Sequence, residues 1–139
     1  MTKRILVVDD EPETVELVAF NLKAEGYEVV TADNGWSAVE QARELLPDLI
    51  ILDLMLPELD GFTVCETLQK QPATARIPII MLTAWSSELS RIVGLESGAK
   101  DYMTKPFSPR ELVLRVKNVL SSREPVHPRT KTRSAKTGA

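Results

Sequence analysis

Arg4-Ile5-Leu6-Val7-Val8-Asp9-Asp10 is an apolar run that stops on two adjacent carboxylates. Consecutive aliphatic residues without alternation read as a strand buried on both faces, as in a parallel sheet with helices on each side. Two further runs repeat the pattern: Leu49-Ile50-Ile51-Leu52 ends on Asp53, and Ile79-Ile80-Met81-Leu82 ends on Thr83. In an open parallel α/β sheet the carboxyl ends of the strands lie along one edge, where ligands bind. Asp9, Asp10, Asp53 and Thr83 are therefore expected in one crevice.

The segments between these runs alternate with them. Pro12 suits the first position of a helix, and Val15, Val18, Ala19 and Leu22 follow at helical spacing up to Gly26. Tyr27 to Ala32 reads as a second strand, Asp33-Asn34-Gly35 as a turn and cap, and Ala38, Val39, Ala42 and Leu45 as a second helix stopped by Pro47. Leu54 to Gly61 is a loop, and Phe62, Cys65, Leu68 and Gln69 mark a third helix. Ile77 to Leu82 is the fourth strand, and Leu89, Ile92, Val93 and Glu96 trace a helix ending at Gly98. Asp101-Tyr102-Met103 is a minimal fifth strand. Ser108-Pro109-Arg110-Glu111 reads as a capping box opening a last helix that carries Leu112, Val113, Val116, Val119 and Leu120. Such alternation predicts a doubly wound parallel sheet of five strands, order 2-1-3-4-5, with five helices on its two faces. The topological switch then falls between the strands that end in Asp9-Asp10 and Asp53.

A length of 139 residues suits one domain. We place it at 1–121, with 122–139 a flexible basic tail or linker, because that Ser, Thr, Pro, Lys and Arg composition cannot bury a core. Residues 1–120 carry 12 Lys and Arg against 19 Asp and Glu, whereas the last 19 residues carry five against one. The acidic part suits metal binding and argues against a nucleic-acid face on the domain itself. Cys65 is the only cysteine, so no internal disulfide forms. No stretch approaches the roughly 20 apolar residues of a membrane span, and a cytoplasmic location without membrane partners is expected.

Three carboxylates a few ångströms apart repel one another by about 4 kcal/mol per pair at an effective dielectric near 20. They call for a cation, and oxygen ligands without His or Cys point to a hard one such as Mg²⁺. The bland alternative is that Asp9 and Asp10 merely cap the first helix. Lys105, just beyond the fifth strand, would reach over the same crevice as a point charge suited to phosphate, and Thr83 would add a neutral donor. Together these are the electrostatic parts of a phosphoryl-transfer site with Asp53 as nucleophile.

The combination Val8-Asp9-Asp10-Glu11, Leu52-Asp53-Leu54-Met55-Leu56-Pro57, Asp60-Gly61, Leu82-Thr83-Ala84 and Lys105-Pro106-Phe107 resembles the receiver domain of two-component response regulators. The resemblance implies the flavodoxin-like fold and a signalling switch rather than an enzyme acting on a metabolite. It implies that Asp53 accepts a phosphoryl group from a sensor histidine kinase, that Asp10, Asp53 and the Met55 carbonyl bind Mg²⁺, and that Asp9 assists through water. Thr83 and Lys105 would hold the phosphoryl oxygens, and Ala84 would leave room for the donor. Thr83 and an inward-swinging Tyr102 would form the switch, and the Lys105-Pro106 bond would be cis, although such bonds are usually trans. Lys105 to Leu112 is similar to receivers that drive winged-helix transcription factors. For that subfamily Arg91, Glu96, Asp101, Glu111, Arg115 and Lys117 fall on a face used for phosphorylation-dependent homodimers, while Lys100 departs from its pattern. DNA would be reached only through an output domain not present in this chain.

Each of these residues has a plainer reading. One tyrosine in a short strand is ordinarily half-buried packing, Cys65 beside Leu68 is core, and surface charges usually form a solvated face. Trp85 either shields the phosphoryl group or packs on the fourth helix. His127 sits among Pro and Arg with no acidic partner. A haloacid dehalogenase-type phosphatase needs a second Asp where Met55 stands, and a dinucleotide-binding fold needs Gly-x-Gly-x-x-Gly where Asp9-Asp10-Glu11-Pro12 stands. A stand-alone or phosphorylation-independent receiver acting as a protein-interaction module is the remaining alternative.

Overall fold

The computed structural model describes residues 2–123. Its centre is β1 (Arg4–Val8), flanked on one side by β2 (Glu28–Ala32) and on the other by β3 (Leu49–Leu52), then β4 (Ile79–Thr83) and β5 (Asp101–Thr104). All pairings are parallel and the order is β2-β1-β3-β4-β5, as the alternation predicts. Successive strand residues point to opposite faces, so the apolar runs supply two cores. Leu6, Val8, Ile50, Leu52, Ile79 and Met81 pack with α2 (Gly35–Leu45) and α3 (Gly61–Gln69). Ile5, Val7, Leu49, Ile51, Ile80 and Leu82 pack with α1 (Pro12–Ala24) and α5 (Pro109–Arg123). Covering both faces is why these strands show no alternation.

Side-chain caps place most helix starts. Asn34, Asp60 and Ser87 accept the N–H groups of Ser37, Thr63 and Ser90 at 2.8, 3.0 and 3.1 Å, opening α2, α3 and α4 (Glu88–Glu96). The start of α1 is different: Glu11 stands at its N-cap without a side-chain cap and Pro12 follows. Neither Asp9 nor Asp10 stands at the N-cap, although Asp9 accepts the N–H of Glu11 at 2.9 Å. The expected capping box of α5 forms only halfway. Ser108 accepts the Glu111 N–H at 3.3 Å, but the Glu111 carboxylate turns to Arg115, one turn on, which offers it two N–H groups at 3.1 and 2.9 Å.

Gly26 turns α1 into β2 with φ +94°, a conformation open to glycine. Helix α2 ends on Leu46 in the left-handed region, φ 46°, with Pro47 behind it. The periodic residues of α4 do not face the core. Leu89, Ile92, Val93 and Leu95 are exposed, and within that helix only Gly94 is buried. Helix α5 continues to Arg123, past the expected domain edge at 121, while the rest of the basic tail, His127 included, lies outside the described residues.

Candidate functional site

The carboxyl ends of β1, β3, β4 and β5 converge as their order requires. Beyond the last strand residues the sheet pairing continues for one step, with the Asp9 N–H on Ala32 O at 3.1 Å and the Asp53 N–H on Val8 O at 3.0 Å. Asp9 and Asp53 are thereby fixed by backbone and are almost fully buried, whereas Asp10 is exposed. The three carboxylates each present an oxygen within 4.8 Å of the others.

Two of them are held alike. Asp9 accepts the Glu11 N–H through Oδ1 at 2.9 Å, and Asp53 accepts the Met55 N–H through Oδ1 at 3.0 Å. Their Oδ2 atoms share one ammonium: Lys105 Nζ stands 2.8 Å from Asp9 and 3.1 Å from Asp53. A third leg reaches Glu11 Oε1 at 2.8 Å. Lys105 is delivered by β5, its N–H bonded to the Thr83 carbonyl at 2.8 Å, and its bond to Pro106 is cis, as the resemblance implies.

The electrostatics follow from burial and this shared cation. Burial raises the pKa of Asp9 above the usual carboxylate value, and the neighbouring Asp53 charge adds to that, against the lowering pull of Lys105 and the Glu11 N–H. Burial works against the ammonium of Lys105, yet its bonds to Asp9, Glu11 and Asp53 prevail and hold it above the ordinary lysine value. Glu11 is held below its usual value chiefly by the hydrogen bond from Lys105. The buried site thus keeps a firmly charged lysine among acids. Its donor set is entirely hard oxygen, with Asp10 on the open side, and that suits Mg²⁺.

Thr83 ends β4 fully buried, with its Oγ1 accepting the Trp85 N–H at 3.4 Å. Ala84 is exposed and lines a groove with Glu11, Thr14, Leu17, Lys105, Pro106 and Phe107. Met55 is half exposed beside Asp53. Tyr102 lies at the next strand rather than in the crevice and is buried. Its hydroxyl donates to the Trp85 carbonyl at 2.7 Å and lies 3.1 Å from the Ser90 hydroxyl. Trp85 meets Phe62 of α3, centroids 6.1 Å apart, so its aromatic partner is not on α4. Cys65 is core, its Sγ on Ser97 O at 3.2 Å, and burial pushes the thiol up to about 12.

The residues assigned to a dimer face are not all unengaged. Arg91, Glu96 and Glu111 are exposed, but Arg115 bridges Asp101 at 2.6 Å and Glu111 at 2.9 Å within the chain, and Lys117 pairs at 2.9 Å with Glu25, the residue that caps the end of α1. Sequence reasoning gave no role to two residues that shape the crevice. Glu11 is the third anchor of Lys105, and only its place beside Asp9-Asp10 hinted at it. Gly61 lies so close to Asp53 that a Cβ there would stand 2.4 Å from the Asp53 carbonyl oxygen; the Asp60-Gly61 pair was its only signal.

Residues 5–117 match the response regulator receiver domain family. The chain is 52% identical over 124 residues to the alkaline phosphatase synthesis transcriptional regulatory protein PhoP of Bacillus subtilis, covering 89% of this chain and 51% of that one. It is 49% identical over 117 residues to the DNA-binding dual master transcriptional regulator RpaA of Synechocystis, covering 84% of this chain and 48% of that one. The chain thus spans about half the length of these curated relatives. Among solved structures, one from Chloroflexus aurantiacus described as a response regulator superposes with a TM-score of 0.84 at 43% identity, covering 87% of this chain and 99% of that one. The BeF3-activated receiver domain of RstA from Klebsiella pneumoniae gives 0.76 at 38%, covering 84% and 97%.

Proposed function

Because the chain belongs to the response regulator receiver domain family, we propose that Asp53 accepts a phosphoryl group from a sensor histidine kinase in a Mg²⁺-dependent reaction and that the chain acts as a signalling switch. The observation that carries this is the single ammonium of Lys105 spanning Asp9 and Asp53 at the mouth of the crevice. Asp53 attacks phosphorus, its P–O bond forming as the P–N bond to the kinase imidazole breaks. The Met55 N–H aims the carboxylate. Lys105, already beside Asp53, moves onto a phosphoryl oxygen by letting go of Asp9 and Glu11, and Thr83 turns its hydroxyl from Trp85 to another. Asp9, Asp10, Asp53 and the Met55 carbonyl would hold Mg²⁺, which offsets the charge that otherwise keeps an anionic phosphoryl group from an acidic site. The chain catalyses only its own phosphorylation and dephosphorylation.

The groove bordered by Thr14, Leu17, Ala84, Pro106 and Phe107 opens beside Lys105 and suits a helix presenting the phosphohistidine. The receiver runs through the end of α5 at Arg123, two residues past the expected edge, and DNA would be reached only through an output domain outside this chain. The exposed side of α4 with β5 and α5 serves phosphorylation-dependent homodimerisation. Among the described residues no helix is long and apolar enough to cross a membrane, and we place the protein in the cytoplasm. Incubation with acetyl phosphate tests the core of the proposal: labelling is expected with Mg²⁺ and not with chelator. Asp53→Ala labelled to the wild-type level would transfer the role to another residue, and a wild type left unlabelled with Mg²⁺ would make the chain a phosphorylation-independent module.

A further inference from the structure

A glycine in the middle of a helix weakens it relative to alanine, and Gly94 sits inside the nine-residue α4. It is also the buried residue of that helix, while the neighbouring Ile92, Val93 and Leu95 are exposed. What fills its space is the ring of Tyr102. A Cβ at residue 94 would stand 3.0 Å from both Cδ2 and Cε2 of that ring and 3.8 Å from Met81 Cγ. The ring is not free to slide away, because its hydroxyl is anchored on the Trp85 carbonyl at 2.7 Å and flanked by Ser90. The N–H of the same Trp85 holds Thr83 Oγ1. One residue thus carries both bonds that join the strand-end hydroxyl to the buried phenol.

We propose that Gly94 is a positioning residue for Tyr102: its missing side chain is the seat in which the ring lodges, and the size of residue 94 sets how readily Tyr102 follows Thr83. A methyl group there makes the ring give way by a few tenths of an ångström, at the expense of its bond to Trp85. The regulatory half of this rests on Asp53 being the phosphoacceptor; the seat itself does not.

Two measurements test it. In urea unfolding, Gly94→Ala lowers the midpoint in the wild-type background. In the Tyr102→Ala background, where the ring is gone, the same change raises it through helix propensity and filling of the space. A raised midpoint in both backgrounds overturns the seat. The second readout is fluorine NMR of fluorotyrosine-labelled protein, whose two tyrosines are assigned with Tyr27→Phe. Gly94→Ala moves the Tyr102 line toward its unfolded position, a change that helix stability alone does not produce, and an unmoved line overturns the proposal. Beryllofluoride with Mg²⁺ then draws Thr83 off the N–H of Trp85, whose carbonyl holds the phenol, and so shifts that line in the wild type while the ring stays lodged; several-fold more is needed in Gly94→Ala, since a ligand favouring the lodged ring must first restore it. Equal requirements overturn the regulatory half. Failure of beryllofluoride to bind the wild type overturns the Asp53 reading and that half with it, while the urea comparison still decides the seat.

Discussion

Replacing Lys105 with methionine keeps the unbranched apolar stem of the side chain and removes the cation that three carboxylates share. The gross attraction of each leg near 3 Å is about 5 kcal/mol at an effective dielectric of 20. Two terms reduce that figure: the ammonium's own desolvation is returned when it is deleted, and the leg to Glu11, whose side chain is 62% exposed, is screened and worth little. Asp9 and Asp53 remain buried, and removing one partner of a buried pair typically costs about 3 to 5 kcal/mol. Proton uptake sets a ceiling. Protonating one carboxylate of ordinary pKa near 4 costs about 1.4 kcal/mol per pH unit, so the loss is limited to about 4 kcal/mol at pH 7 and about 1.5 kcal/mol at pH 5. The sign follows from Asp9, whose pKa is already raised by burial. As pH climbs from the unfolded value toward the folded one, the unfolded chain sheds this proton first and the folded state loses stability. Losing Lys105 removes the strongest lowering influence on Asp9 and carries that window upward. Urea unfolding in chelator is expected to show a loss of about 3 kcal/mol at pH 7 and less than half of that at pH 5. Equal losses at the two pH values, or under about 1 kcal/mol at pH 7, would refute a buried, shared cation.

Three further outcomes are expected. Gly61→Ala sets a Cβ against the Asp53 carbonyl, a backbone atom that has no alternative rotamer; the thermal midpoint should fall by an amount corresponding to about 2 kcal/mol, and an unchanged midpoint contradicts the close approach. Asp10→Asn should weaken Mg²⁺ binding in a calorimetric titration more than Asp9→Asn, because Asp9 is already committed to Lys105 and the Glu11 N–H while Asp10 is open to solvent; the reverse order would reassign the ligands. The beryllofluoride-loaded protein should sediment as a weak dimer that dissociates in high salt, since Asp101 and Arg115 already pair within the chain and exposed pairs add about 1 kcal/mol at most; a monomer at high concentration in low salt would exclude that use of α4, β5 and α5.

The fold was legible because burying both faces of a sheet erases alternation, and Ile5 to Val8, Leu49 to Leu52 and Ile79 to Leu82 show that erasure without ambiguity. Asp9, Asp53 and Lys105 were legible for a related reason: charged residues next to such runs have one edge on which to meet. The orientation of α4 was not. Leu89, Ile92 and Val93 make an apolar stripe, and periodicity reports that a stripe exists without saying which side of the helix meets the sheet; the inward side is the one with Gly94, where the apolar group comes from Tyr102. The third anchor of Lys105 was hidden because Glu11 and Lys105 are 94 residues apart. Glu111 misled for a local reason: its spacing from Ser108 fits a cap, but the guanidinium one turn on binds it through two N–H groups.

The reach of Lys105 also orders events during synthesis. Asp9 leaves the ribosome early and Asp53 follows, but the ammonium that joins them belongs to a residue 96 positions after the first and 52 after the second. Until Lys105 is in place, Asp9 and Asp53 lack the cation that they share. A product that stops before β5 therefore cannot complete the crevice, however well its earlier strands pair.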